Sequence, residues 1–294
     1  MDSTRMEKVG CVATIGMFDG VHLGHQFVLR QVVEDAHRRG LQSLAITFDR
    51  QQPLLTPINE KVQLIAQTGI DRVEVLPFTE ELKMMTAFQF MQQVLKEQLG
   101  VIVLLIGYDN RFGHNREEGF ADYVRHGLQL GIEVLQLPAK GTVCSSHIRQ
   151  YLQEGRVAEA AASLSYPYTL IGHVMHGEHV GTKLGYPTAN LVLDDNHQII
   201  PAPGVYAVKV RLENSNEDWY GMMNIGTRPT FDGQRQTLEV HVFQLHEDLY
   251  GQQLSVSFVE RLREERRFDT VEALRQQLQQ DAEQTKGLFQ RIEI

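Results

Sequence analysis

The sequence predicts two domains: an α/β domain built on a parallel sheet, then a small antiparallel β-barrel with a terminal helix. Three observations carry this. Short, almost wholly apolar runs alternate with helical stretches in the first half. Runs of alternating polarity, separated by Gly and Pro, fill the second. The rhythm changes once, at "SLSYPY" (163–168), which sets the expected boundary between 1–163 and 164–294.

The apolar runs are "CVATIG" (11–16), "SLAITF" (43–48), "VEVLP" (73–77), "VIVLLIG" (101–107) and "IEVLQLP" (132–138). Strands that are apolar throughout belong to a parallel sheet covered on both faces. Helices are expected near 25–39, 60–68, 86–99 and 116–130, the last capped by Asn115 with Glu118 in the box position. Ligands of such a sheet bind beyond the carboxyl ends of its strands. In the second half, "LIGHVMHG", "GVYAVKVRL", "WYGMMNIG", "QTLEVHVFQL" and "LSVSFVERL" read as short strands. In "TLEVHVF", Leu238, Val240 and Val242 face one way and Glu239 and His241 the other. A closing helix over 270–290 is expected, capped by Asp269 with Glu272.

Composition narrows the function. A net charge of -9 argues against a general nucleic-acid binder, although it leaves room for a local basic pocket. Cys11 and Cys144, the only cysteines, form neither a disulfide framework nor a zinc site. No apolar run reaches the length of a membrane span, and "MDSTRMEK" lacks the apolar core of a signal peptide. A cytoplasmic protein, monomeric or weakly homo-oligomeric, without nucleic-acid or membrane partners, is the expectation.

Two stretches carry chemistry. "GMFDGVHLGHQ" (16–26) follows the first strand and opens the first helix, so backbone N–H groups and the helix dipole favour phosphate there. Gly16, Gly20 and Gly24 let the backbone approach a ligand, and His22 and His25, three apart, can share one space. Read singly, Arg111 in "GYDNRFG" is a solvated charge and Ser145 and Ser146 in "CSSHIRQYLQEG" an N-cap, but both stretches follow later strands, and that shared location puts Arg111, Ser145, Ser146 and Arg149 on the same expected rim. The second stretch is "GYPTAN" (185–190). Thr188 and Asn190 share a face if the chain is extended, and their neutral oxygens suit Mg²⁺ whose other ligands are phosphates and waters, although this stretch alone reads better as an edge-strand start with both side chains in solvent. Lys183, in the glycine-spaced loop before them, is a candidate phosphate contact. Glu239 is either a base for a substrate hydroxyl or an ordinary solvent-facing carboxylate; spacing leaves both open. In "ERLREERRF", Arg261 and Arg263 either border an anionic site or belong to a solvated face.

Taken together, "TIGMFDGVHLGHQ", "IGYDNRFG", "SSHIRQYLQEGRVAEAA", "GHVMHGEHVGTKLGYPTANL", "NIGTRPTF", "LEVHVF", "DLYG" and "RLREERRF" resemble the bacterial bifunctional riboflavin kinase/FMN adenylyltransferase (FAD synthetase) family over nearly the whole chain. The resemblance implies a Rossmann-like nucleotidyltransferase domain that adenylylates FMN with ATP to FAD and pyrophosphate. It implies a riboflavin kinase-like barrel that phosphorylates riboflavin with ATP to FMN. His22 and His25 would contact ATP phosphates, with Gly16, Phe18, Asp19, Gly20 and Gly24 lining the site and Arg111, Ser145, Ser146 and Arg149 beside the nucleotide. Lys183, Gly185, Pro187, Thr188 and Asn190 would hold Mg-ATP in the barrel. Glu239 would be the base, and Asp109, Asn224, Arg261 and Arg263 would lie near the flavin. The chain departs from the pattern at Gln51, where the family usually has His, at Asn110, where it usually has Phe, and at Thr182, often Arg. The first two leave open a kinase with an impaired adenylyltransferase domain; a non-catalytic flavin or nucleotide sensor is the other alternative.

Overall fold

The computed structural model describes residues 10–49, 53–108, 110–138, 143–176, 185–215, 217–230, 233–245 and 248–292. It divides into two compact units, 1–144 and 145–294.

The first unit is a five-stranded sheet, order β3-β2-β1-β4-β5, with every pairing parallel. Its strands are β1 (Cys11–Ile15), β2 (Gln42–Asp49), β3 (Arg72–Pro77), β4 (Val101–Ile106) and β5 (Glu133–Gln136). All five residues of β1 are buried, as a central strand covered on both faces requires. The order reverses between β1 and β4, so a crevice opens beyond their carboxyl ends.

Helix α1 (Leu23–Arg39) buries Leu29, Val32, Asp35 and Ala36, a stripe at helical spacing. It ends on Gly40, whose φ of 66° is the left-handed C-cap that glycine adopts without strain. Asp35 is buried in α1 but held by Arg39 at 2.7 Å. Helices α2 (Ile58–Ala66) and α3 (Glu80–Met84) follow β2 and β3.

Three helix expectations are corrected. The stretch expected as one helix over 86–99 is α3's neighbour α4 (Ala87–Gln89), capped by Thr86 and Gln89, running into a π-helix (Phe90–Gln98). The helix expected over 116–130 is α5 (Phe120–Leu130), with Gly119 at its N-cap and the Asp122 carboxylate accepting the Gly119 N–H at 3.0 Å. Asn115 instead sits at φ 59° in a separate turn, a conformation asparagine tolerates, so it caps nothing. In the second unit the terminal helix α8 (Val271–Ile292) is capped by Thr270, whose Oγ1 accepts from Ala273 N–H at 3.1 Å, rather than by Asp269.

The second unit is a closed antiparallel barrel, order β10-β7-β6-β11-β8-β9. Its strands are β6 (Thr169–Met175), β7 (Ala189–Leu193), β8 (Gly204–Leu212), β9 (Trp219–Thr230), β10 (Gly233–Val242) and β11 (Gln253–Arg263). Closure leaves no unpaired edge. Leu238, Val240 and Val242 are buried as the alternation requires, with Glu239 and His241 half-buried on the other face.

Helices α6 (Ser145–Gln153) and α7 (Val157–Leu164) belong to this unit, although the sequence places them before its expected boundary. They pack on one another, and α7 packs on β11 with Val157, Ala160 and Leu164 buried. Ala202 N–H also donates to the Leu152 carbonyl at 2.9 Å.

Candidate active sites

At the reversal point of the first unit, the 16–22 loop is tightly tied. Gly16 N–H donates to the Ile46 carbonyl at 3.0 Å. The Met17 carbonyl accepts from Thr47 Oγ1 at 3.1 Å and from Lys61 Nζ at 3.2 Å. Phe18 (φ 46°), Gly20 (φ 80°) and Val21 (φ 34°) all have positive φ, a conformation that costs free energy for Phe and Val and persists only where the surroundings enforce it.

This strained turn delivers His22 to the N-cap of α1, where its Nδ1 accepts the His25 N–H at 3.4 Å. The two imidazoles stack with centroids 3.7 Å apart, and the Phe18 ring meets His25 edge-on at 5.3 Å. Gly24 has no side chain to push on this pair, since a Cβ there would lie 3.2 Å from the His22 ring.

Burial holds the His25 imidazole well below its ordinary value, and the neighbouring His22 and Lys61 push the same way. Its Nδ1 is out of solvent and makes no hydrogen bond within the protein. A dry, unpartnered imidazole nitrogen beside a helix N-terminus is a ready contact for a ligand.

The depression has a sign for stability. The unfolded chain binds the His25 proton more readily than the folded one, so stability from this group is complete above about pH 6.5 and is lost as pH falls below it. Thermal melting of the protein between pH 7.5 and 5 is expected to show this loss, with a smaller loss in His25→Ala.

Asp19, expected at the nucleotide, is 3 % exposed, and its Oδ1 accepts the Leu55 N–H at 2.9 Å and the Thr56 N–H at 3.3 Å. It is a strut for the segment after β2. A buried carboxylate must find donors, and backbone amides supply them. Phe18 is buried as well and packs under His25.

Beside the loop, a cavity of about 560 Å³ is walled by Phe48, Phe78, Phe90 and Phe112, with Gly16 and Arg111 adding backbone and charge. Aromatic faces with one polar edge suit a flat heteroaromatic ligand. Asn110 lines the same cavity, and its Nδ2 donates to the Ile15 carbonyl, bridging the ends of β4 and β1. The aromatic ring missing at this position is thus exchanged for a tie across the reversal point. Asp109 and Gln51 lie outside the described residues. Ser145 and Ser146 open α6 and Arg149 follows one turn later, all three in the second unit.

In the barrel, residues distant in sequence form a single cross-strand row. Met175 pairs with Asn190, Asn190 with Glu239, Glu239 with Asn224, Asn224 with Val205, and Val205 with Arg263. Two cavities flank this row. One, of about 340 Å³, is lined by Asn224, Glu239, Arg263 and Tyr186 and by Leu274 and Leu278 of α8. The other, of about 300 Å³, is lined by Asn190, Pro187, His176 and Tyr250. Thr188 lines both, and its hydroxyl donates to Glu239 Oε2 at 3.5 Å. The wall between the cavities therefore carries a carboxylate on one side and neutral oxygens on the other, the layout for passing a group between two bound molecules.

The segment's backbone is fixed by His241. Its Nδ1–H donates to the Pro187 carbonyl at 2.7 Å, and burial keeps the imidazole below its ordinary value. Gly185, at φ 84°, supplies the turn that only glycine makes cheaply. Sequence reading missed His241 and Tyr186. The signal for His241 was present, since it stands two residues after Glu239 on the same strand face.

The two arginines have partners within the unit. Arg263 does reach the larger cavity, but its guanidinium makes a two-nitrogen ion pair with the buried Asp281 of α8, with Nη2 to Oδ2 at 2.8 Å. Arg261 Nη2 donates to the Pro203 carbonyl at 2.6 Å, and its side chain fills the space that a Cβ at Gly155 or Gly204 would take. It fastens the α6–α7 turn to the barrel. Lys183 and Thr182 lie outside the described residues.

Among the described residues no group of three or more His, Cys, Asp or Glu converges on a metal position. Thr188 and Asn190 offer neutral oxygens only. That donor set fits Mg²⁺ arriving with nucleotide phosphates, which needs few protein ligands, and does not fit a caged ion.

A family model described as riboflavin kinase matches residues 164–289, and one described as FAD synthetase matches residues 4–148. The bifunctional riboflavin kinase/FMN adenylyltransferase of Escherichia coli K12 is 36% identical, covering 95% of this chain and 93% of its own. That of Listeria monocytogenes is 34% identical, covering 96% and 93%, and that of Pseudomonas fluorescens 37%, covering 98% and 96%. A crystal structure described as a macrolide-efflux protein from Streptococcus pneumoniae is 30% identical, with a TM-score of 0.86 and coverage of 95% of this chain and 94% of that one. In the present chain, no helix among the described residues is long and apolar enough to cross a membrane. Identity at this level along almost the full length of both partners, with both family models in the expected order, places the chain in the bifunctional riboflavin kinase/FMN adenylyltransferase family.

Proposed function

We propose that the protein makes FMN from riboflavin and ATP in its barrel unit and FAD from FMN and ATP at the reversal point of its first unit. The single observation that carries the kinase half is the row Asn190–Glu239–Asn224 with a cavity on each side, and the adenylyl half rests on the stacked His22–His25 pair beside the aromatic cavity.

In the kinase step, riboflavin occupies the cavity shared by Asn224, Tyr186 and α8, and ATP the one bordered by Asn190 and Tyr250. Glu239 accepts the proton of the terminal ribityl hydroxyl as its oxygen attacks the γ-phosphorus; ADP leaves and FMN remains. Thr188 and Asn190 would hold Mg²⁺, which neutralises charge on the transferring phosphate. By donating its hydrogen to Glu239, Thr188 keeps its lone pairs for the cation.

In the adenylyl step, an FMN phosphate oxygen attacks the α-phosphorus of ATP and pyrophosphate departs. His22 and His25 contact the phosphates where negative charge builds, a contribution of positioning and electrostatics without a covalent intermediate. Phe48, Phe78 and Phe112 would face the isoalloxazine. The division of labour falls near 163/164, in a cytoplasmic monomer or weak homo-oligomer.

Incubating the purified protein with riboflavin, ATP and Mg²⁺ and separating products over time tests both steps. FMN is expected first and FAD after it. A time course with neither product overturns the proposal. FMN that accumulates without FAD, even when FMN is supplied, identifies the first unit as impaired.

A further inference from the structure

Lys61 lies in α2 with only 2 % of its surface exposed. A lysine is almost never that buried unless its ammonium group is held. Here Nζ donates to the Met17 carbonyl at 3.2 Å and to the Phe48 carbonyl at 3.0 Å. Met17 belongs to the loop that presents His22 and His25, and Phe48 to the end of β2 in the aromatic wall. Burial lowers the ammonium's proton affinity, while Asp19 and Asp49 oppose that and help keep it charged. Thr47 Oγ1, fully buried, donates to the same Met17 carbonyl at 3.1 Å.

We infer that Lys61 is a positioning residue for adenylyl transfer: it ties the histidine loop to the end of β2 and sets a fixed positive charge beneath the histidine pair. The inference rests on reading this site as the adenylyltransferase centre. Positive φ at Phe18 and Val21 makes the loop costly to hold, and two donors on the Met17 carbonyl help hold it. The charged groups facing His25 are His22, in the loop, and Lys61, from α2; Asp19 and Asp49 face Lys61 in turn. Lys61 therefore also helps keep the His25 ring neutral, an effect that a purely space-filling side chain would not have.

The test uses the full chain with Lys61→Met, which keeps the stem and removes the charge, and Thr47→Val, which removes one tie and leaves the charge. Lys61→Met is expected to lose roughly tenfold or more in kcat/KM for FAD formation from FMN and ATP, with riboflavin phosphorylation unchanged as the control for intact protein. Histidine NMR should show the His25 titration moved upward. Thr47→Val should give a smaller loss of kcat/KM with the His25 titration unmoved. A Lys61→Met protein with wild-type kcat/KM and an unmoved His25 titration overturns the inference. Should that variant fail to fold, Thr47→Val decides, and an unchanged kcat/KM there overturns it. If the wild-type protein makes no FAD from FMN, it is the adenylyltransferase reading that fails, and the His25 titration still reports whether the charge acts on the ring.

Discussion

Replacing Glu239 by Gln is expected to stop riboflavin phosphorylation while FAD formation from supplied FMN continues at its full rate. The substitution is close to isosteric. Gln keeps an oxygen that can accept from Thr188, now 3.5 Å from Glu239 Oε2, and it sits on a strand paired with both β7 and β9. What it loses is the ability to take a proton. General-base assistance typically contributes about 10²–10⁴-fold, so kcat for FMN formation should fall by roughly that factor, with KM values for ATP and riboflavin nearly unchanged. A carboxylate that served only to accept a hydrogen bond from Thr188 would be replaced by Gln with little loss. Retention of more than about a third of the kinase rate would therefore remove Glu239 from the role of base. The FAD measurement in the same variant guards against a global folding defect, because that step belongs to the other unit.

The sheet and the barrel were legible because their signals are local. Apolar runs mark buried parallel strands, and the alternation over 237–243 marks a strand with one covered face. Helix starts were less legible. Asn115 with Glu118 and Asp269 with Glu272 satisfy the capping-box spacing as well as the true caps do, and only the backbone conformation distinguishes them. In the candidate sites, residue type named candidates and could not give orientation. Asp19 and Arg263 stand in motif stretches, and only the structure shows that one accepts the Leu55 and Thr56 amides and the other pairs with Asp281. A buried charge is claimed by whatever partner makes its burial tolerable, and that partner can be far away in sequence. The Asn190–Glu239–Asn224 row is a matter of register between strands some 15 to 50 residues apart, which no local pattern encodes. Lys61 was invisible for the opposite reason: in "INEKVQLIA" it reads as a solvated helix charge, and only its packing shows otherwise.

For the first unit, the corresponding expected result is that His25→Ala abolishes FAD formation from FMN and ATP and leaves FMN formation intact. The ring's Nδ1 has no protein partner, so removing the ring breaks no hydrogen bond at that atom. The fold should tolerate the change, whereas the developing charge of pyrophosphate would lose a preorganised contact. Such contacts are worth about 10²–10³ in kcat each. His22 is different, because it also caps α1 through the His25 N–H. His22→Asn separates its two duties, since Asn is among the best N-caps and restores an acceptor for that amide while lacking the imidazole. If phosphate contact is the role of His22, His22→Asn should retain the melting temperature and lose FAD formation by a similar factor. If capping alone is its role, the Asn variant should remain active. Two variants with wild-type FAD rates would leave the histidine loop a strained turn with no part in the chemistry. That outcome is hard to reconcile with a stacked imidazole pair, its His25 ring kept neutral by burial, at the mouth of the crevice where the strand order reverses.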